Sequence, residues 1–390
     1  METLTGYTGR PVRRQVAEHV KGLIRTQHLR CGDRLPTYEY LCEAIGASYV
    51  TVKRAMDALE VEGIVRCIHG KGTFVVKDLC RQSRELSTAL VVFPFSLNTL
   101  LMQEYAVELA RGVLGTLEER GNWGRLYSLT SDGLLFADRV GTEIQGILLA
   151  GVENDSYLRM VASWGTPVVA LDYCSDSAPI DFVACDNRAA ARRVVEHLVA
   201  LGHRRIAYLG GAETYTIQTS PRPEESLVQN SSDKRERREG VCEALAAHGL
   251  TPGAEAVLTA YERTRLSAGE VEQTAARWFA DKATAPTAVV ASDESCAEAM
   301  IAQLGRMGLR VPEDVSVCAV ACAESGRHSR LTHCRFDFAA MGRKGVELLR
   351  ERCRKPGEPA NRIHRIGFEW VEGSTCVVRG QEAGEEDHRL

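Results

Sequence analysis

Residues 32–76 read GDRLPTYEYLCEAIGASYVTVKRAMDALEVEGIVRCIHGKGTFVV and decide the fold of the amino-terminal part of the chain. Thr37 is placed to cap a short helix, and Ser48 follows a Gly46-Ala47 turn to cap a second helix ending near residue 62. One side of the second helix is apolar at a spacing of three to four residues, through Val52, Ala55, Met56 and Leu59. We therefore predict two short helices joined by a tight turn.

A basic hairpin is expected directly after these helices. Residues 64–68 and 73–77 are typical of strands, and His69-Gly70-Lys71-Gly72 joins them. Residues 12–27 have the pattern of an amphipathic helix that would pack behind the pair. This arrangement is a winged helix-turn-helix, which places its second helix in the major groove of DNA.

The same stretch resembles the GntR DNA-binding domain over roughly residues 10–77. The resemblance is carried by Gly32-Asp33-Arg34-Leu35-Pro36, Ser48-x-x-Thr51-Val52-x-Arg54-Ala55, Leu59-Glu60-x-Glu62-Gly63 and Gly70-Lys71-Gly72-Thr73-Phe74-Val75. It implies DNA contacts from the second helix and the wing, by Arg34, Ser48, Tyr49, Thr51, Lys53, Arg54, His69, Gly70 and Lys71. Glu39 and Tyr49 stand where many relatives carry Arg, so the operator bases that are read should differ.

Charge is distributed unevenly along the chain, whose formal net charge is −4. Residues 1–78 carry 12 Lys and Arg against 9 Asp and Glu, a net of +3, which leaves 36 against 43, or −7, for the rest. A mildly basic head on an acidic body fits a protein in which only the head meets phosphate.

Composition indicates a globular protein of the cytoplasm. The 390 residues exceed what one core usually serves, and we expect two or three domains. We find no export signal and no apolar run of the ~20 residues that cross a bilayer. The 13 cysteines show neither a disulfide framework nor zinc-ligand spacing, which indicates a reducing compartment and predicts no metal.

From residue 88 onward, short apolar strands alternate with helices. Examples are the strands at residues 90–93, 146–150 and 288–291. Such alternation predicts an α/β fold with parallel sheets covered on both faces. About 290 residues of this pattern favour two similar lobes with a cleft between them.

This body resembles the LacI-type, periplasmic-binding-protein-like (type I) sensor domain over residues 88–379. The motifs that carry the resemblance are Asp186-Asn187, Leu201-Gly202-His203-Arg204-Arg205-Ile206-Ala207, Arg237-x-x-Gly240, Ser292-Asp293 and Gly308-Leu309-x-Val311-Pro312-x-Asp314-Val315. It implies two lobes joined by several crossing strands, with an effector held at the hinge. A GntR head on a LacI-type body is similar to arabinose-responsive repressors.

Ligands in such sheets bind at the carboxyl ends of strands, and this rule selects the candidate effector residues. Asp172 and Asp293 end strands, and Arg237 stands three residues before Gly240 in the position that the resemblance assigns to effector contact. Each has a structural alternative: Asp172 could be a polar residue at a strand end, Asp293 a helix cap and Arg237 a solvated charge. Phe95 and Phe336 could stack on a sugar ring, although core packing is an alternative for Phe336.

Two departures from the sensor pattern stand out. Many relatives carry Gly-x-Asp-Asp where this chain has Ala319-Val320-Ala321-Cys322, so a ligand carboxylate pair is missing. Residues 212–234 are polar and show no periodicity, which predicts a long loop near the cleft that acts as a lid or is disordered.

These observations predict a cytoplasmic transcription regulator, a repressor, without enzymatic activity, cofactor or membrane association. The predicted domains are a winged helix-turn-helix at residues 1–78, a linker at 79–87, a two-lobed effector domain at 88–380 and a polar tail at 381–390. The predicted partners are a double-stranded DNA operator, a sugar-like effector and a second copy of the chain. The alternatives are a solute-binding protein, which would need an export signal, and a DNA-binding dimer whose cleft holds nothing.

Overall fold

The computed structural model describes residues 13–27, 29, 32–68, 71–76, 85–132, 144–218, 226–258, 268–323, 330–355 and 362–379. The head is formed by α1 (Arg13–Thr26), α2 (Tyr38–Ile45), α3 (Tyr49–Val61), β1 (Val65–Ile68) and β2 (Gly72–Val75). The predicted caps are present: Thr37 accepts a hydrogen bond from the Tyr40 N–H, and Ser48 accepts one from the Thr51 N–H. Between them Gly46 adopts the left-handed conformation with φ of 70°, which glycine adopts without steric cost.

The head has its own hydrophobic core, to which all three helices and both strands contribute. Its fully buried members include Val16, Val20, Ile24, Leu41, Val52, Leu59 and Val75. Strands β1 and β2 pair antiparallel to form the wing, and Arg34 adds a bridge to Phe74. The predicted winged helix-turn-helix is therefore confirmed.

The amino-terminal lobe of the body is built on a six-stranded parallel sheet in the order β15-β7-β6-β5-β3-β4. Its elements are β3 (Thr88–Phe93), α4 (Leu97–Leu101), α5 (Glu104–Glu119), β4 (Trp123–Ser128), α6 (Leu129–Asp132), β5 (Gly146–Ala150), α7 (Asp155–Ala162), β6 (Val168–Leu171), β7 (Asp181–Cys185), α12 (Phe338–Arg354) and β15 (Ile363–Ile366). Strands β5, β6 and β7 are buried along their whole length, as the continuous apolar runs predict.

The carboxy-terminal lobe repeats this design with the strand order β11-β8-β12-β13-β14-β16. Its elements are α8 (Asn187–Ala200), β8 (Ile206–Gly211), α9 (Ser232–Ala247), β11 (Ala254–Leu258), α10 (Ala268–Trp278), β12 (Ala288–Ala291), α11 (Glu294–Arg306), β13 (Ser316–Cys322), β14 (Thr332–Phe336) and β16 (Phe368–Val371). Neighbouring strands are parallel except for β14 and β16, which pair antiparallel.

The chain passes between the lobes three times within the described residues. These connections follow β7, β14 and β15, and in each a single residue separates the strand from the next element. Asp186, Asp337 and Gly367 occupy these short connections. Three short parallel passages act as a hinge, so the predicted two-lobed architecture is confirmed.

The segment at residues 212–234 differs from the irregular loop that the sequence predicts. It forms an antiparallel hairpin of β9 (Thr214–Gln218) and β10 (Ser226–Asn230), followed by the first turn of α9. Buried and exposed residues alternate along both strands, with Tyr215, Leu227 and Gln229 buried. Five residues per strand carry too little alternation to be recognised among so many polar residues, which explains why irregular structure was wrongly predicted, while the predicted alternative of a lid remains open.

Helix α1 of the head lies against the amino-terminal lobe where α7 ends. A β-carbon built on Gly22 would come within 2.1 Å of the Ser163 carbonyl oxygen and 2.8 Å of Trp164 Cα. Trp164 is itself part of the lobe's core. Glycine is therefore needed at position 22 for this backbone approach, which joins head and lobe independently of the predicted linker at residues 79–87.

Candidate DNA-binding surface and effector cleft

Helix α3 exposes a polar face on the side opposite the head's core. Tyr49 is 53% exposed, and Lys53 and Arg54 are also exposed. The Tyr49 ring rests at a tilt on Tyr38, with 5.8 Å between the ring centroids, and this contact limits its freedom. The surface presents two cationic side chains and an aromatic ring on a helix, and side chains of a helix that enters the major groove contact base edges and phosphates.

Ser48 and Thr51 have a defined structural role at the start of α3. Their hydroxyl oxygens lie 2.7 Å apart, and Ser48 Oγ accepts the Thr51 N–H at 3.2 Å. Ser48 is exposed and Thr51 half-buried, so both remain at the surface that would face DNA. Their contacts with DNA stay a prediction.

The wing brings two more of the predicted cations to the surface. Arg34 and Lys71 are exposed, and the guanidinium of Arg34 packs on Gly72. A β-carbon at position 72 would lie 2.6 Å from Arg34 Nε, a contact that the exposed arginine side chain could relieve by moving, whereas the φ of +110° at Gly72 is a backbone conformation that favours glycine. His69 and Gly70, which the resemblance places at the wing tip, lie outside the described residues.

Arg237 is the centre of a buried polar cluster between the two lobes. Its guanidinium contacts Asp233 Oδ2 at 3.0 Å, donates to Asn187 Oδ1 at 2.8 Å and donates to the Ser292 carbonyl at 3.3 Å. Burial alone would lower the pKa of Arg237, but the charges of Asp233, Asp293 and Asp172 raise it above its ordinary value. The three charged residues predicted from strand ends and motif therefore lie within electrostatic range of one another.

Asp293 and Asp172 each also serve the backbone. Asp293 caps α11 by accepting the Cys296 N–H at 3.0 Å, and it accepts the Ser292 hydroxyl at 2.9 Å. Asp172 is buried and has a φ of 59°, the left-handed conformation that is rare outside glycine. Such strain persists only where surrounding structure enforces it and is common at ligand sites.

The two predicted aromatic contacts lie in the core. Phe336 is fully buried, with ring centroids 6.3 Å from Phe338 and 5.9 Å from Phe368. Its ring is enclosed by other aromatic rings, so stacking on a sugar is the wrong interpretation and core packing the right one. Phe95 is 9% exposed and packs near Phe93, at the end of β3.

The first turns of α9 connect the two lobes, a role that the sequence did not indicate. Glu236 forms a two-pronged ion pair with Arg365 of β15, at 2.7 and 2.8 Å. Burial and the Glu236 charge raise the pKa of the Cys174 thiol to about 11, so this sulfur stays protonated and donates to Glu236 Oε1. Ser232 Oγ accepts the Cys174 N–H. Arg365 lies 129 residues from its partner, and no local pattern points to it.

The β9–β10 hairpin closes over the cleft and binds the amino-terminal lobe around Glu153. The Glu153 N–H donates to Gln229 Oε1 at 2.5 Å, and Glu153 Oε2 accepts the hydroxyls of Tyr215 and Ser231, each at 2.9 Å. Leu227, only 5% exposed, packs into the core of that lobe. The hairpin, whose two ends belong to the carboxy-terminal lobe, is thus a strap across the cleft.

Comparisons with known proteins agree with both halves of this geometry. Residues 12–75 match the family of bacterial regulatory proteins called gntR, and residues 195–376 match the periplasmic binding protein-like domain. The gntR match covers the head, and the periplasmic binding protein-like match covers the larger part of the body. It is 24% identical to the arabinose metabolism transcriptional repressor of Geobacillus stearothermophilus, over 86% of this chain and 89% of the relative. It is 25% identical to the HTH-type transcriptional regulator CelR of Thermobifida fusca, over 82% and 92%.

Solved structures support the two-lobed fold of the body. A CelR–cellobiose complex superposes with a TM-score of 0.61 at 20% identity, covering 87% of this chain and 100% of that one. The lac repressor dimer bound to operator and an anti-inducer superposes with a TM-score of 0.58 at 20% identity, covering 75% and 94%. Among the described helices, none combines the length and apolar character needed to cross a bilayer.

Proposed function

We propose that this chain is a cytoplasmic repressor that binds operator DNA as a homodimer and responds to a small, sugar-like effector held between its lobes. The observation that carries the proposal is the pairing of a free, cationic α3 face with a buried polar cluster at a hinge. Relatives named for arabinose metabolism and a neighbour solved with cellobiose support the choice of a sugar.

The head would read DNA through Lys53, Arg54 and Tyr49 on α3, with Arg34 and Lys71 of the wing on phosphate. Ser48 and Thr51 would hold the first turn of α3 in position and contact the backbone. Two heads related by a two-fold axis would bind half-sites about one helical turn apart.

The effector would act by changing how the lobes close. Arg237 can present two donors to hydroxyl or carboxylate oxygens, and Asp172 and Asp293 can accept from hydroxyl groups. A ligand there can change operator affinity only by as much as its own affinity differs between the open and the closed arrangement of the lobes. Such differences are typically ~1–3 kcal/mol, or about 5- to 150-fold.

The DNA proposal is tested with operator duplexes selected from a randomised pool, by fluorescence anisotropy at fixed salt. Lys53→Ala and Arg54→Ala should each weaken binding by about 1–3 kcal/mol if they contact bases, and less if they contact only phosphate. Lys282→Ala is the matched control, because Lys282 is also exposed but lies on the carboxy-terminal lobe. Equal affinity for all three variants and the parent chain would contradict the proposed interface.

A regulator with an empty cleft is the second candidate, favoured by one observation. Strand β13 carries Ala319, Val320, Ala321 and Cys322 where an acidic ligand pair would be expected, and all four are buried in the core. Thermal unfolding in the presence of a carbohydrate panel separates the two candidates, since a bound effector raises the unfolding temperature by mass action.

A further inference from the structure

Three carboxylates beside the cleft, those of Asp233, Glu236 and Glu153, already have donors within the protein. Asp233 is paired with Arg237 at 3.0 Å, and Glu236 is paired with Arg365 at 2.7 Å. Glu153 accepts two hydroxyl groups. The acceptors supplied by these side chains are therefore largely occupied before any effector enters.

Lys234 is a buried cation without such a partner. The residue is 8% exposed, and no carboxylate among the described residues lies within 4.0 Å of its ammonium. The ammonium sits 5.8 Å above the Tyr215 ring centroid. It also lies against Gly211 at the end of β8, where a β-carbon would come within 3.1 Å of Nζ.

Gln229 supplies a second buried donor at the same ring. Its side chain is fully buried, and Oε1 accepts the Glu153 N–H, while Nε2 has no hydrogen-bond partner in the part of the chain that the structure describes. Gln229 and Tyr215 are directly opposite each other in the hairpin. Cross-strand partners project from the same face, so the Gln229 amide and the Lys234 ammonium flank the same tyrosine.

A buried amide donor without an acceptor, beside a lysine whose ammonium has no carboxylate within 4.0 Å among the described residues, favours a ligand that brings acceptor oxygens and negative charge. We propose that the effector carries an anionic group, a carboxylate or a phosphate, that Lys234 and Gln229 bind beneath the hairpin. This inference rests on the proposed function, because it specifies the chemistry of the effector in that cleft. The polar body of the effector extends toward Arg237, and the Tyr215 ring forms one wall of the anion subsite.

The hairpin ties this subsite to the amino-terminal lobe. Tyr215 and Gln229 both bond to Glu153 of the opposite lobe, so the strap has to be closed for both donors to be in position. An anionic effector therefore binds most tightly to the closed lobes, and the anion stabilises closure.

The test measures binding of matched sugars to the full chain by isothermal titration calorimetry. Each set contains a neutral aldose, its uronate and its 6-phosphate, such as glucose, glucuronate and glucose 6-phosphate, with the galactose set alongside. We expect one acidic member to bind at least tenfold more tightly than its neutral parent. Preference for the uronate or for the phosphate identifies which anion the subsite takes.

Lys234→Met should remove about 10- to 100-fold of that affinity, as expected for a charge-assisted hydrogen bond. Lys234→Arg should restore part of it, and Lys282→Met, on the exposed surface, should change nothing. A neutral sugar that binds as tightly as its acids, or Lys234→Met with unchanged acid affinity, overturns this inference while leaving a sugar-responsive regulator intact. Absence of binding by every member, neutral and acidic, contradicts both this inference and the sugar effector.

Discussion

Removing the apolar anchor of the hairpin should open the cleft without damaging either lobe's sheet. Leu227 is 5% exposed and inserts into the amino-terminal lobe's core from a hairpin tethered to the other lobe. Fully burying a leucine is worth about 1.5–3 kcal/mol. Leu227→Ser forfeits most of this, and the ratio of closed to open strap should fall by about 10- to 150-fold.

Hydrogen exchange of two backbone amides reports this opening directly. The Glu153 N–H is held by Gln229 and the Asn230 N–H by the Glu153 carbonyl at 2.8 Å, so both lose protection when the strap lifts. Val228→Ala is the matched control, because Val228 is on the same strand but 40% exposed. Unchanged protection in Leu227→Ser, or an equal loss in Val228→Ala, would refute the idea that Leu227 anchors the strap.

Two further predictions concern stability. Asp181 is fully buried and accepts hydrogen bonds from Arg352 at 2.5 and 2.8 Å; burial alone would raise the pKa of Asp181, but these bonds lower it. Asp181→Asn should therefore cost about 3–5 kcal/mol in urea unfolding. Asp314→Asn breaks a surface ion pair with Arg310 and should cost much less, so equal losses of stability in the two variants would contradict a stabilising role of the buried pair. Burial lowers the pKa of His203 to about 4 from 6.5, and the unfolded chain then binds the extra proton first. Stability should fall as the pH drops from about 6.5 toward 4, and His203→Gln, measured by thermal unfolding, should flatten that slope.

The head was predictable because its signals are local. Thr37, Ser48 and Gly46 mark helix ends within a few residues, and the apolar spacing of α3 names its buried side. The charged members of the effector cluster were predictable for a related reason. Asp172 and Asp293 each follow the carboxyl end of a parallel strand, one in each lobe's sheet, so the strand pattern selects both residues, and the two-lobed architecture is what brings them near Arg237.

The strap and the bonds between the lobes were not predictable because their stability comes from distant partners. Residues 226–230 are held as a strand by Leu227 in the core of the amino-terminal lobe and by the hydrogen bond from the Glu153 N–H to Gln229, which joins residues 76 positions apart. Strand β15 reads Ile-His-Arg-Ile and is half-exposed, so neither hydrophobicity nor period reveals it. Arg365 of this strand forms an ion pair with Glu236 because the chain crosses between the lobes and brings the two residues together.

The approach of Gly22 to Ser163 has a consequence for how a signal leaves the sensor. Helix α1 contacts the same lobe that the chain enters at β3, so the head is attached to the amino-terminal lobe both by the chain and by this contact. Rotation of the carboxy-terminal lobe alone would therefore leave the position of α3 relative to the amino-terminal lobe unchanged. In a dimer, operator affinity would then depend on the angle between the two amino-terminal lobes. A side chain larger than hydrogen at position 22 would weaken the contact through which this angle positions the head on DNA.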